Sequence, residues 1–233
     1  VLEAPGSDEA PEFASLYRAR GNEVARHRPI FTGDVFSGVA VEGRSETAKV
    51  IVLQHPCVIR RGVDLTPRLL VAEVVPAPAI APSKWSAGHY RQLPLAELDP
   101  TGSPKDFAAL LDQYHLVKPD DLLLHLRLAT LSQQGVNLMM QRWVHHNSRV
   151  IVPTHEYHKT TSAQFEEADL IEDWCMNRED DGVELTVANG EIDAWLTGNH
   201  GVTAPRKRLE DPQQRSAVRR EVRDHLSKVR SAK

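Results

Sequence analysis

The sequence predicts an α+β protein: a small β-barrel or sandwich, then a mixed helical region with a β-hairpin, then a basic C-terminal helix. Three observations predict it. Residues 39–41, 49–54 and 68–75 are short runs rich in Val, Ile and Leu, punctuated by Gly43, Pro56, Gly62 and Pro67. Short β-rich runs at such spacing read as a small barrel or sandwich. Val136, Met139, Met140 and Trp143, and later Val218, Val222, Leu226 and Val229, recur at helical spacing. Asn189-Gly190 sits between two apolar runs, and both residues tolerate the positive φ of a tight hairpin turn.

The elements follow in order. Residues 1–12 are acidic and poor in apolar side chains, and read as mobile. Residues 13–26 carry Leu16, Tyr17 and Val24 among charges and predict a short helix. A β region starts at residues 29–36, and Val50-Ile51-Val52-Leu53 reads as a strand buried on both faces. Pro76, Pro78 and Pro82 interrupt it, and residues 83–93 hold Trp85 as an aromatic anchor in a short helix or loop. Ser103-Pro104 reads as an N-cap and first turn of a helix over 106–114. Leu122, Leu124, Leu126 and Leu128 alternate, which favours a strand, with helix as the alternative. Ser132 caps a helix to about 146, and residues 150–152 read as a short strand. Thr161 and Gln164 have capping-box spacing and open a helix to about 177, with Phe165, Leu170 and Trp174 inward. Residues 183–187 and 191–195 form the hairpin arms, 198–205 a linker, and Asp211-Pro212 starts the last helix. The expected divisions are 1–29, 30–95, 96–205 and 206–233.

Composition narrows the class. The chain has 233 residues, 41% of them hydrophobic, and a formal net charge of −4. That length buries a core without disulfides. Two cysteines, Cys57 and Cys175, cannot build a disulfide framework and fit a reducing cytosol. No apolar run reaches the ~18 residues of a membrane span, so a cytoplasmic protein with no membrane partner is expected. The total hides an asymmetry. Residues 206–233 hold ten Lys/Arg against four Asp/Glu, a net of +6, and the remainder sums to −10. Within that remainder, 166–181 carries eight acidic residues against one Arg.

Gly33-Asp34-Val35 enters a first strand, the apolar 50–53 run ends in Gln54-His55-Pro56-Cys57, and a third strand follows at 69–74. On these features residues 33–75 resemble the MazF/PemK-like toxin fold and related bacterial and phage proteins. The resemblance implies an SH3-like barrel over 30–95 and a toxin-related protein that contacts nucleic acid. A toxin-like endoribonuclease is the enzymatic alternative. The Arg-Pro pair that usually precedes the family's second strand is Ala48-Lys49 here. The family's catalytic residues therefore find no matching positions.

Four groups of residues carry candidate chemistry. His55 and Cys57 place an imidazole beside a thiol, which favours the nucleophilic thiolate; a structural Cys at a strand end is the competing expectation. His155-x-x-His158, with His145, His146 and Cys175, has donor types that suit zinc. Surface and helix-cap histidines are the more ordinary reading, and no cofactor is expected. Arg127, Arg142, His145, His146 and Arg149 form a basic group around the middle helix. It could cradle a phosphate or pair with the acidic 166–173 stretch. Finally, Arg206, Lys207, Arg208, Arg215, Arg219, Arg220 and Arg223 make one positive face suited to DNA or RNA phosphates. The alternative docks this helix on the acidic body, on a second copy as a homodimer, or on a protein partner. No Gly-x-Gly-x-x-Gly or Walker loop supports nucleotide binding, and no Gly-x-Ser-x-Gly elbow is present.

Overall fold

The computed structural model describes residues 1–6, 13–86, 88–201 and 203–231. It is mixed α+β and divides into two compact units. The first comprises Val1–Arg26, Ile30–Arg61 and Leu65–Thr160; the second comprises His27–Pro29, Gly62–Asp64 and Thr161–Lys233.

The first unit is a curled, antiparallel seven-stranded sheet. Its strands are β1 (Tyr17–Arg20), β2 (Asp34–Val39), β3 (Ala48–Val52), β6 (Leu69–Pro76), β7 (Gln92–Leu95), β8 (Phe107–Val117) and β9 (Arg127–Leu131). Two short strands, β4 (Arg60–Arg61) and β5 (Asp64–Leu65), lie outside it. The spatial order is β1-β9-β2-β3-β6-β8-β7. The three runs read as strands over 33–75 are thus consecutive antiparallel neighbours, β2-β3-β6. Phe36, Val50, Val52, Leu69, Val71 and Val117 build the core on one face of the sheet. Val35, Ile51 and Ala72 are buried on the other, as alternation of side chains along strands requires.

Helix α1 (Gln133–Ser148) packs against β9, β7 and the Phe13–Leu16 turn. Ser132 is its N-cap, accepting from the Gly135 N–H at 3.0 Å. Gly135 permits a close approach: a Cβ there would stand 2.2 Å from the Leu16 carbonyl oxygen. Val136, Met139 and Met140 are buried, as the helical stripe predicts.

Several expectations are corrected in this unit. Residues 13–26 form a 3-10 turn and strand β1 rather than a helix, because Tyr17 pairs with Leu131 and its hydroxyl reaches the Ala96 carbonyl at 2.9 Å. The helix expected over 106–114 is β8, registered along β6 from Phe107–Pro76 to Val117–Leu69. Cross-strand pairing and burial override the local preference of Ala and Leu. The alternating leucines of 122–128 lie in a 3-10 turn and only the start of β9, after Pro119 and Asp121 break the chain direction. Residues 150–152 are not a strand; they follow Arg149, which ends α1 at φ 61°. The start of the segment expected to be mobile is held to the fold, with Leu2 buried and Glu3 hydrogen-bonded, while 7–12 lie outside the described residues.

The second unit is helical. Helix α2 (Thr154–Asp180) enters it at Thr161. Thr161 is therefore not an N-cap; it is a buried helix-interior residue, and the helix begins after Pro153. The expected hairpin over 183–195 is helix α3 (Leu185–Thr197). Ala188, Ile192, Trp195 and Leu196 are buried at helical spacing, and Asn189 donates its side-chain amide to the Leu185 carbonyl at 2.9 Å. Burial of that stripe outweighs the turn preference of Asn-Gly. A short α4 (Pro205–Arg208) precedes α5 (Arg215–Ser231). Val218 and Val222 of α5 are buried with Trp174, Cys175, Ile192 and Leu196. Arg28 lies against α2, with Nη1 2.6 Å from Asp169 and 2.9 Å from Glu172. Among the described residues no helix is long and apolar enough to cross a membrane.

Candidate functional site

Residues His55 and Cys57 flank Pro56 at a 3-10 turn. The His55 Nδ1 accepts the Cys57 backbone N–H at 3.2 Å, and the thiol donates to the Thr160 carbonyl at 3.3 Å. Burial lowers the His55 pKa and raises that of Cys57, against a smaller opposing effect of a backbone hydrogen bond on the thiol. Both shifts favour the neutral forms, so this pair holds no thiolate at neutral pH.

His155 and His158 line an open cleft of about 460 Å³ with Gln133, Gln134, Asn137 and Thr154. His155 Nε2 is 2.9 Å from Glu156. Cys175 belongs to the core of the second unit, where burial, reinforced by Glu191, pushes its pKa up to about 12. Among the described residues no three His, Cys, Asp or Glu side chains converge to hold a metal ion.

The basic group of the middle helix separates into different roles. Arg127 is buried, 3.4 Å from Asp34 and over the Phe36 ring. Arg149 is the exposed cap of α1. Arg142 is 1% exposed, and no carboxylate among the described residues pairs with it. Its Nη2 donates to the Trp85 carbonyl at 2.8 Å and its Nη1 to the His89 carbonyl at 3.4 Å, with the guanidinium 4.7 Å from the Trp85 ring centre. Burial pulls its pKa down to about 10, opposed by Tyr90, so it stays charged at neutral pH.

Arg142 is followed on α1 by Trp143, His145 and His146, which gather a group of aromatic side chains. Tyr90 meets His145 edge-on, with ring centres 5.1 Å apart. Trp143 stacks with His146 at 6.3 Å and receives Tyr114 edge-on at 5.6 Å. The His146 Nδ1–H donates to the Tyr90 carbonyl at 3.3 Å, which ties the 89–92 turn to α1. Tyr90 and Tyr114 are exposed, while Trp143, His145 and His146 are half-buried. Arg142 Nε and His145 Nδ1 are buried with no hydrogen-bond partner among the described residues. The helical period placed Trp143 in the core stripe, and nothing in the local sequence brings Tyr90 or Tyr114 to it. The sheet does so, through β7 and β8.

In the second unit most tail cations turn toward acidic side chains. Arg206 reaches Glu167 at 2.9 Å and Asp193 at 2.7 Å. Arg208 grips Glu221 with two bonds of 2.7 and 2.8 Å. Arg219 holds Glu166, its Nε 2.7 Å from the carboxylate. Arg215 donates to Ser162 and to the Leu209 carbonyl, each at 2.8 Å. Lys207 stands 3.8 Å from Glu210 and is exposed. Arg220 and Arg223 are exposed, and neither forms an ion pair among the described residues. The seven tail residues are thus divided: Arg206, Arg208, Arg215 and Arg219 serve the fold, while Lys207, Arg220 and Arg223 face solvent.

No family model matches the chain, and no curated protein matches it.

Proposed function

We propose that the protein contacts single-stranded nucleic acid through the aromatic surface of α1 and the 89–92 turn. The observation that carries this reading is Arg142, a fully buried guanidinium that has no carboxylate partner among the described residues, under the electrostatic influence of Tyr90 and one helical turn before His145 and His146. A buried cation left unneutralised makes the ground above it attractive to phosphate. Exposed aromatic rings beside cationic groups are what unstacked bases need, because every base has a π-face. The SH3-like, toxin-related barrel is part of the same proposal, supported by the consecutive antiparallel strands β2-β3-β6. A contribution from the tail rests on Lys207, Arg220 and Arg223 alone. The ribonuclease alternative has no activated nucleophile at His55 and Cys57 to support it.

Fluorescence anisotropy with short labelled oligouridine, oligoadenine and oligothymidine strands tests this. Each stacked base is worth roughly 1–3 kcal/mol, so Tyr90→Ala weakens binding about 5- to 150-fold. Trp143→Ala acts alike, and Trp143→Phe retains most of the affinity. Arg220→Glu with Arg223→Glu reduces the salt dependence without abolishing binding. Absence of binding to every strand at low salt defeats the proposal. So does affinity that follows Arg220 and Arg223 and ignores Tyr90 and Trp143.

A further inference from the structure

We propose that the first unit binds a small apolar α-amino acid in a cavity beside Lys49. Gly21, Lys49, Leu98, Asp99, Phe107 and Leu128 line a cavity of about 80 Å³. It lies on the sheet face that carries Ile51, because Lys49 and Ile51 alternate with Val50 along β3. The buried Leu98 and Phe107 form its inner wall, and the exposed Gly21 and Asp99 its solvent side. Gly21 has φ 55°, and a Cβ there would meet nothing within 4 Å, so the cavity stays open at that point. One water needs roughly 10–15 Å³, and drug-sized ligands take about 300–1,000 Å³. The space therefore suits a molecule of a few heavy atoms.

Two opposite charges stand in this lining and do not meet. The Lys49 ammonium lies 5.1 Å from the Phe107 ring centre and makes no ion pair among the described residues. Asp99 Oδ1 accepts the Gly102 N–H at 2.8 Å and the Thr101 hydroxyl at 3.4 Å, and its Oδ2 has no hydrogen-bond partner among the described residues. Lys49 is half-buried, and an ammonium shielded from water without a counter-charge gains from an anion that enters beside it. A simple carboxylate answers Lys49 but meets like charge at Asp99. A simple amine answers Asp99 and is repelled by Lys49. A zwitterion satisfies both groups at once. The Leu98, Phe107 and Leu128 walls favour an apolar side chain on it by burial. The volume restricts that side chain to the range from alanine to valine.

Titration calorimetry of the full chain with L-alanine, L-valine, L-phenylalanine, propionate and propylamine tests it, alongside amide chemical shifts. The expected result is saturable binding of alanine or valine, with shifts centred on the Gly21, Lys49 and Leu98 amides. Propionate and propylamine each lack one of the two charges and bind about 10- to 150-fold more weakly, the worth of a hydrogen bond to a charged group. Lys49→Met and Asp99→Asn each weaken the binding by a similar factor, and Leu128→Phe, which fills the cavity, abolishes it. Circular dichroism melts report that the variants fold, and the shifts in the unaltered protein decide the matter where one does not. Absence of saturable binding by both alanine and valine overturns the proposal. Propionate bound as tightly as the amino acids overturns it, as does phenylalanine bound more tightly than valine. Binding that ignores both Asp99→Asn and Leu128→Phe overturns it too. Oligonucleotide affinity is a separate measurement on a different surface, so the failure of either reading leaves the other standing.

Discussion

The Glu3 carboxylate caps helix α2: it accepts the Thr154 backbone N–H at 2.8 Å and the Thr154 hydroxyl at 2.5 Å. The same carboxylate accepts from the Gln141 side chain at 3.1 Å, and the Glu3 backbone N–H returns a bond of 2.7 Å to Gln141. One residue of the N-terminal segment thereby joins α1 to the start of α2. Pro153 sets the chain direction there, and a helix N-terminus rewards negative charge.

Glu3→Ala should lower stability by roughly 0.5–1 kcal/mol, the value of an exposed helix cap. Burial raises the Glu3 pKa, but the hydrogen bonds from Thr154 and Gln141 and the nearby His155 together bring it below its ordinary 4.5. A depressed carboxylate stabilises the fold above its unfolded pKa and loses that contribution as pH falls through the folded one. Urea melts of the protein and Glu3→Gln should therefore differ at neutral pH and converge below pH 4.5. A constant difference at all pH values counts against the charged cap.

Deleting the tail does more than remove charge. Val218 and Val222 are buried with Trp174, Ile192 and Leu196, so a chain ending at residue 205 loses core packing in the helical unit. Val218→Ala should cost roughly 1–2 kcal/mol. Arg206→Ala, which breaks contacts to both Glu167 and Asp193, should destabilise measurably, while Arg220→Ala stays within about 0.5 kcal/mol of the parent. Chemical denaturation of these variants separates structural from solvent-facing cations. Equal effects at Arg206 and Arg220 contradict the division.

The Cys57 thiol is exposed yet unactivated. Its alkylation by iodoacetamide should be no faster at pH 7 than that of a free thiol, rising only as pH passes 9. Cys175 should resist until the helical unit unfolds, because burial pushes its pKa to about 12. Cys57→Ser should leave oligonucleotide affinity unchanged. Rapid labelling of Cys57 at pH 7 would restore the nucleophile reading.

Local signals carried those elements whose burial pattern agrees with their own period. Ser132 and the Val136–Met140 stripe mark α1, and the runs around Val50 and Val71 mark β3 and β6. The failures came where tertiary context opposes local preference. Asn189-Gly190 carries a turn signal, yet Ala188, Ile192 and Trp195 need one helical face to reach Trp174 and Val218. Leu110 and Leu111 favour helix, yet β6 pairs with Leu110 and the Arg91 carbonyl takes the Leu111 N–H. The charge split at residue 206 was legible, but its consequence was not, because the same arginines suit phosphate or carboxylate. Charge and helical spacing to His145 and His146 single out Arg142 in the sequence. Its significance lies in pairing with the Trp85 and His89 carbonyls and, among the described residues, with no carboxylate, which only the packing reveals.

His225 lies between two indoles, 5.5 Å from the Trp174 ring centre and 5.9 Å from that of Trp195, nearly parallel to both. His200 stacks on Trp195 at 5.1 Å and its Nε2 reaches the Trp195 carbonyl at 3.0 Å. Burial lowers the His225 pKa below 6.5, His200 and Lys228 add to the lowering, and Glu191 opposes it. The unfolded chain therefore takes up this proton before the folded one does. Both forms are neutral well above pH 6.5, so the native stack has its full stability there. As pH falls through 6.5 the unfolded state is favoured, until the folded imidazole also protonates and the loss levels off. Thermal melts followed by tryptophan fluorescence should show the helical unit weakening between pH 7.5 and 5.5. His225→Phe keeps an aromatic ring against Trp174 and removes the titration, so this part of the pH dependence should vanish in it. An identical pH profile for His225→Phe would assign the weakening to other groups.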